Sequence, residues 1–446
     1  MQFSADNLPA GLLLDPGTGF ITGSVKDKGK YPTILHAKNT LGEAKLDFKI
    51  VVGEEIALTP PMGWNSWNCW HSGITADICR RMAHAMVDSG LAQHGWTYIN
   101  IDDAWQGQRG GPLNAIQGDA KRFPDMKALA DEIHGLGLKA GLYSTPWETS
   151  YAGHVGGSSE NPDGTWDRAT MSKGPKNQKV LPFAIGKYHF FKQDAQQWAA
   201  WGFDYLKFDW APIEIPETQE MAGALRDSGR DIVLSLSNNA TNTVFNVVGD
   251  LTKCSNSWRI GGDISDTWSS LKSHGFGNDK WAPFSGPGHW NDPDMFEVGT
   301  NGGGKPKHLT ADEQYTHVTQ WCLLAAPLLL GCDLEHLDDF TLGLLTNDEV
   351  LAVNQDVLGK QATNVSSQGE GKVYAKQLED GSWAVGLFNM GESPIPVKVK
   401  WTDIGLSGKQ TVRDLWRQKD VGDFDLEISM TVAPHGAEMI RVYPAK

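Results

Sequence analysis

The 446-residue chain has no apolar run long enough to cross a membrane. The longest, Cys322 to Cys332, has 11 residues and carries Pro327, against the ~20 that a spanning helix needs. No membrane insertion is expected. Cysteine is scarce: Cys69, Cys79, Cys254, Cys322 and Cys332 lie at uneven spacings with no CxxC pair. Neither a zinc site nor a disulfide framework is indicated, although one bridge stays open. Positive charge is in deficit, with 39 Lys and Arg against 54 Asp and Glu and a formal net charge of −15. Nucleic-acid binding depends on neutralising phosphates with basic side chains, so no nucleic-acid partner is expected, nor an anionic membrane surface. The first twenty residues, MQFSADNLPAGLLLDPGTGF, lack a basic leading segment and are broken by Pro and Gly. They do not read as a signal peptide.

What is present is ample core material, with 40% hydrophobic residues, 50 glycines and an unusual 18 tryptophans. Tryptophan on that scale offers flat apolar faces of the kind that sugar rings lie against. Three stretches differ in texture. Residues 1–54 alternate short apolar runs with turn signals such as Asp15-Pro16-Gly17, and Lys45–Val52 alternates with period two like a half-buried strand,. This pattern resembles a truncated Ig-like β module found on secreted bacterial enzymes, and it is expected to act as a spacer.

Residues 55–360 alternate short apolar runs with helical patterns, the signature of βα units and a parallel sheet. Strands are predicted at Met62–Asn65, Tyr98–Asp102, Leu138–Ser144, Tyr205–Asp209, Ile232–Ser237, Ser255–Ile260, Trp290–Asp292 and Pro327–Gly331. Amphipathic helices are predicted at Ala76–Ser89, Met126–Leu136 and Tyr188–Ala200. Eight strands in about 300 residues fit an α/β (β/α)8 TIM barrel. The alternative, a doubly wound sheet, is opposed by the lack of a GxGxxG after the first strand. Residues 361–446 return to short alternating runs (Val373–Gln377, Trp383–Phe388, Val397–Trp401, Ser429–Val432, Glu438–Val442) and predict a C-terminal antiparallel β-sandwich.

In such a barrel the active site lies at the C-terminal ends of the strands. Strand two runs into Asp102-Asp103 and strand four gives Tyr205-Leu-Lys207-Phe-Asp209. The sixth leads through Arg259 to Asp263, and the seventh gives Asp292-Pro-Asp294. One such Asp reads as a helix N-cap. Four converging on one face repel one another unless a ligand or shifted protonation absorbs the cost. Carboxylates with Lys, Arg and Trp among them suit a polyhydroxylated ligand, and two carboxylates flanking a glycosidic bond are the machinery for its hydrolysis. Divalent-metal binding is the rival use of such a ring, but no phosphate-cradling loop accompanies it.

The segments LTPPMGWNSWNCW (58–70), YINIDDAW (98–105), GLKAGLYS (137–144), GFDYLKFDW (202–210), SWRIGGDISDTW (257–268), PGHWNDPDM (287–295) and VNQDVLG (353–359) resemble glycoside hydrolase family 27, the α-galactosidases and α-N-acetylgalactosaminidases. The resemblance implies a cofactor-independent retaining exo-glycosidase acting on a carbohydrate. By motif, it makes Asp209 the nucleophile and Asp263 the general acid/base, about 5–6 Å apart. It places Asp102 and Asp103 on the sugar's O6 and O4, Lys207 toward O3 and O4, and Arg259 toward O2. Trp67 and Tyr143 would line the pocket, and Asp292 would support it. A periplasmic or extracellular location is expected.

Two departures from the family pattern matter. After strand three a cysteine-containing loop is replaced by Ser144–Tyr151 and a cysteine-free insertion from Gly153 to Val180, in which Trp147 and Tyr151 read as ordinary loop anchors first and as candidates for leaving-group contacts second. After strand five, Ser237 and Ala240 stand where N-acetylgalactosaminidases carry a small pair and galactosidases a larger Glu and Leu. Galactose is the first expectation, ahead of N-acetylgalactosamine and β-L-arabinopyranoside. A catalytically silent sugar-binding barrel is the alternative from another class.

Overall fold

The computed structural model describes residues 1–165, 183–237 and 241–444. The chain divides into two compact units, Met1–Ile56 and Ala57–Lys446.

In the first unit, strand Gly29–Asn39 pairs antiparallel with Gln2–Asp6 on one side and Gly42–Val52 on the other. A separate hairpin joins Leu12–Leu14 to Ile21–Gly23. The strand predicted at Lys45–Val52 forms, but it is not half-buried. Leu46 and Phe48 are 59% and 42% exposed, because this edge strand has one neighbour and no facing sheet within its unit.

The second unit is built on eight parallel strands: Met62–Asn65, Tyr98–Asn100, Lys139–Ser144, Tyr205–Asp209, Val233–Ser237, Ser257–Arg259, Trp290–Asp292 and Leu328–Leu330. They pair in sequence order from one to seven, and strand eight pairs with strand one. A parallel bridge between Phe296 and Leu330 closes the ring, with the Phe296 N–H on the Leu329 carbonyl at 2.8 Å. Seven of the eight links are continuous ladders and the last is this single bridge. The segment that follows strand seven, and not Trp290–Asp292 itself, therefore closes the ring against strand eight.

The side-chain period of two then fixes what faces inward. In strand four, Leu206 and Phe208 are buried apolar residues, while Tyr205, Lys207 and Asp209 share the opposite face. Helices Ala76–Asp88, Met126–Gly135 and Phe191–Trp201 cover the outside. The first two are capped by Thr75 and Asp125, whose side chains accept N–H bonds from Ile78 and Ala128,. The third helix starts later than its apolar periodicity suggests. Tyr188 and His189 instead pair with Ser158–Ser159.

The C-terminal strands form a six-stranded antiparallel sheet, in which Thr363–Gln368 and Lys419–Phe424 are the edges. The two-stranded pair Ile395–Lys400 and Glu427–Val432 faces it. Val373, Leu387, Val397, Trp401, Ile428 and Val442 belong to the core between these layers. This sandwich is joined to the barrel helix Ala311–Leu324. Thr316 donates to the His435 carbonyl at 2.6 Å, and Trp416 donates to Thr319 at 2.9 Å. All five cysteines are free thiols, so the one bridge the sequence left open does not form. Among the described residues no helix is long and apolar enough to cross a membrane.

Candidate active site

Strands one to four deliver a connected polar cluster. Asn65, the last residue of strand one, donates from its amide to Asp102 Oδ2 at 2.8 Å and accepts the Trp67 N–H at 2.9 Å on its amide oxygen. One side chain therefore holds both a carboxylate and the backbone that carries Trp67. Lys207 Nζ donates to the same Asp102 oxygen at 2.8 Å. The Asp102 N–H donates to Ser66 Oγ at 2.9 Å, and Asp102 is only 2% exposed. The ammonium and carboxylate compensate each other where neither has much water. The Asp102, Asp209 and Asp294 charges hold the Lys207 ammonium above the usual lysine range despite burial, which acts the other way,.

Asp103 is oriented by the backbone. Its Oδ1 accepts the Ala104 N–H at 2.6 Å and its Oδ2 the Ala152 N–H at 2.7 Å. Ala104 has φ +81°, a left-handed value rare for a residue with a Cβ,. Strain at this position accompanies the turn that carries two successive buried carboxylates past the end of strand two,. Burial pushes the Asp103 carboxyl up to about 6 against its hydrogen bonds.

Tyr143, at the end of strand three, donates its hydroxyl to Asp209 Oδ2 at 3.1 Å. Asp209 is half-buried, and burial pushes its carboxyl up to about 6. Lys207 and Arg259 pull it down and Asp102 pushes it further up. Asp209 is opposite Ser237 in the register of strands four and five.

Arg259, at the end of strand six and 3% exposed, sits 2.8 Å from Asp294 through Nη1 and 3.2 Å from Asp263 through Nη2. It also donates to the Gly262 carbonyl, and Ser237 Oγ lies 3.5 Å from its Nη1. Asp263 differs from the rest. Its side chain is 76% exposed, at the mouth and outside the buried carboxylate group. Asp292 is buried and pushed up to about 6 by burial, and it accepts the Asp294 N–H at 2.9 Å. It lines a small cavity under the site together with Asn65, Tyr205 and Ser237. Above this a cavity of about 480 Å³ opens past Trp67, Lys207, Arg259, Asp263 and Asp294.

The residues predicted from sequence therefore meet at one end of the barrel, apart from Ala240, which lies outside the described residues together with much of the Gly153–Val180 insertion. Asn65 and the Ala152 N–H were not anticipated, and Asp294, read as one of the carboxylates that follow strand seven, was given no role. Asn65 ends a strand, and Asp294 stands beside a predicted site residue. Asp294 takes φ +102°, and its Oδ2 accepts the Ile264 N–H at 2.8 Å. It thereby ties the guanidinium of Arg259 to the segment that follows Asp263. Among the described residues no group of three or more His, Cys, Asp or Glu is placed to hold a metal ion.

A parallel eight-stranded barrel with buried carboxylates, one lysine and one arginine at its C-terminal end, backed by an antiparallel sandwich, defines the class: a glycoside hydrolase. Residues 59–167 and 176–356 match the family model described as alpha galactosidase A, and residues 368–442 match the alpha galactosidase C-terminal beta sandwich domain. The chain is 40% identical to the α-galactosidase of Cyamopsis tetragonoloba over 86% of each. A solved Bacteroides fragilis structure, reported as a candidate α-galactosidase, superposes on all of this chain and 92% of its own at TM-score 0.87 and 31% identity. The β-L-arabinopyranosidase of Geobacillus stearothermophilus superposes on 87% of this chain and 97% of its own at TM-score 0.73 and 28% identity. The chain belongs to the α-galactosidase (melibiase) family, glycoside hydrolase family 27.

Proposed function

We propose that the protein hydrolyses terminal α-linked galactose by double displacement, with Asp209 as nucleophile and Asp263 as general acid/base. The observation that carries this reading is the Asn65–Asp102–Lys207 cluster beside Asp209, whose hydroxyl partner is Tyr143. Asp102 and Lys207 offer an acceptor and donors to adjacent sugar hydroxyls, which sets the anomeric carbon over Asp209.

In the first step an Asp209 oxygen bonds to the anomeric carbon as the glycosidic C–O bond breaks, and Asp263 gives its proton to the departing oxygen. In the second step Asp263 takes a proton from water, whose oxygen displaces Asp209 from the anomeric carbon. Two inversions return the original configuration. The exposed position of Asp263 suits its two roles, since it must meet a leaving group first and water second. The nearby Lys207 and Arg259 favour the ionised Asp209 that attack requires,.

Galactose is the first reading because the relative at 40% identity is an α-galactosidase. The small, buried Ser237 beside Arg259 favours one second reading, an α-N-acetylgalactosaminide whose C2 substituent needs that room. A panel of nitrophenyl α-galactoside, α-N-acetylgalactosaminide and β-L-arabinopyranoside tests this. The highest kcat/KM is expected on the α-galactoside. Turnover confined to either other sugar would overturn the assignment, and no turnover on any would leave a sugar-binding barrel.

A further inference from the structure

Strand Gly42–Val52 ends the three-stranded sheet of the first unit, and among the described residues Gly29–Asn39 is its one neighbouring strand. It runs 11 residues in a single register with no bulge, and Gly42 to Lys49 are exposed on both faces. Pro32, which has no N–H to donate, stands opposite Lys49,. The hydrogen-bonded pairs of this hairpin therefore fall on the even-numbered residues of the strand. Glu43, Lys45, Asp47 and Lys49 turn their N–H and C=O groups to the open edge.

A long regular edge is a template for another strand, and proteins usually guard one with a bulge, a proline or lysines that repel an incoming copy. Here the charges on the edge alternate in sign. Glu43, Lys45, Asp47 and Lys49 share one face of the sheet, while Ala44, Leu46 and Phe48 share the other. Glu43 is already oriented by His36 at 2.9 Å and lies 3.8 Å from Lys45. On the apolar face the 7–24 segment covers the far side of the sheet. There the Phe3 N–H donates to the Pro16 carbonyl at 2.9 Å and Gly19 packs on the Phe3 ring. Leu46 and Phe48, next to the open edge, stay 59% and 42% exposed.

We propose that Gly42–Val52 pairs antiparallel with the same strand of a second copy, about a two-fold axis at Leu46, and joins two three-stranded sheets into one of six. In that register Glu43 meets Lys49 of the second copy and Lys45 meets Asp47, each contact occurring twice by symmetry. Leu46 meets Leu46, and Phe48 lies over Ala44. A two-residue slip in one direction would set Asp47 against Asp47, and a slip in the other would set Lys45 against Lys45. A one-residue slip would place the charged face beside the apolar one. The strand is thus complementary to itself in charge and in apolar pattern at one register.

Sedimentation velocity of the full chain should show a monomer–dimer equilibrium with half-association on the order of 10–100 µM, the range that the small interface of one strand pair supports. Asp47→Lys sets lysine against Lys45 on both sides of the axis and should weaken the dimer about tenfold or more. The exchange Lys45→Asp/Asp47→Lys keeps opposite charges opposed and should restore association to within about threefold of wild type. That rescue separates loss of pairing from loss of the unit's fold. Leu46→Cys should form an intermolecular disulfide on mild oxidation, because Cα atoms in a non-hydrogen-bonded pair lie about 4.5 Å apart. Phe48→Cys, about 13 Å or more from its own counterpart, should not. A wild type that stays monomeric well above that concentration range, as it would if the edge receives a strand of a different protein or none, would overturn the proposal. A dimer indifferent to Asp47→Lys, crosslinking as ready through Phe48→Cys as through Leu46→Cys, or assembly that grows past two copies would each overturn it as well.

Discussion

Replacing the nucleophile should stabilise the protein while abolishing its activity. Asp209 is half-buried beside Asp102, and burial moves its carboxyl from the ordinary 3.8 to about 6. A carboxyl raised on folding contributes stability in full below the unfolded value, and that contribution is lost as pH rises through the folded value. Above about pH 7 the folded protein must hold a carboxylate it would rather protonate. A shift of roughly two units corresponds to about 3 kcal/mol as a ceiling, and water in the open pocket reduces it, so about 1–3 kcal/mol is expected.

Asp209→Asn keeps the shape and the acceptor for Tyr143, and it removes the charge. It should raise Tm by about 1–4 °C at pH 7.5 for a unit of this size, and by nothing at pH 4. The difference should grow between pH 4 and 7. Thermal unfolding of both proteins across that range is the assay, with turnover of an aryl α-galactoside measured alongside and expected to fall at least about 10⁴-fold. A variant less stable than wild type at pH 7.5, or a difference independent of pH, would refute the reasoning about burial and charge at this carboxylate.

Other outcomes follow from the same geometry. Asp263→Ala should slow substrates with poor leaving groups far more than activated aryl galactosides, and azide should rescue the latter to give an α-configured glycosyl azide; equal losses without azide product would contradict the acid/base role. The kcat/KM profile should fall on the acid side with an apparent value near 6, as Asp209 takes up its proton, and a profile flat down to pH 4 would contradict it. Asp194→Ala should cost about 3–5 kcal/mol of stability, because it strands the buried Arg109 guanidinium now paired through contacts of 2.7 and 2.8 Å. A loss under about 1 kcal/mol in urea unfolding would show that the pair is not the strut it looks like. Ser237→Glu should lower any activity on the acetamido sugar about 10²-fold relative to galactose, read from the ratio of kcat/KM on the two nitrophenyl substrates.

Where a buried strand carries aromatic or aliphatic residues up to a terminal amide or carboxylate, the sequence is legible to the residue. Strands Met62–Asn65, Tyr205–Asp209 and Trp290–Asp292 run as read. Polar strands at or near a sheet edge are not legible. Thr363–Gln368 (TNVSSQ), Gln410–Asp414 (QTVRD) and Lys419–Phe424 (KDVGDF) went unread because the neighbouring chain, and not their own pattern, makes them strands,. The site divides in the same way. Carboxylates ending apolar runs announce Asp102, Asp209 and Asp292. Nothing local announces that Asn65 will bond Asp102 from 37 residues away, or that a backbone N–H at Ala152 will hold Asp103. Asp263 was readable as a residue, but its exposed position at the mouth was not, since that depends on Arg259 and Asp294 drawing the chain after strand six across the barrel end.

The central claim is a covalent galactosyl link to Asp209. Incubation with a fluorinated galactosyl fluoride that forms this ester faster than it releases it, followed by proteolysis and mass spectrometry, tests it most directly. One fluorogalactosyl group per chain is expected, on the peptide that contains Asp209, with loss of labelling in Asp209→Asn. An active enzyme that acquires no label, or carries it on another residue, would contradict the account.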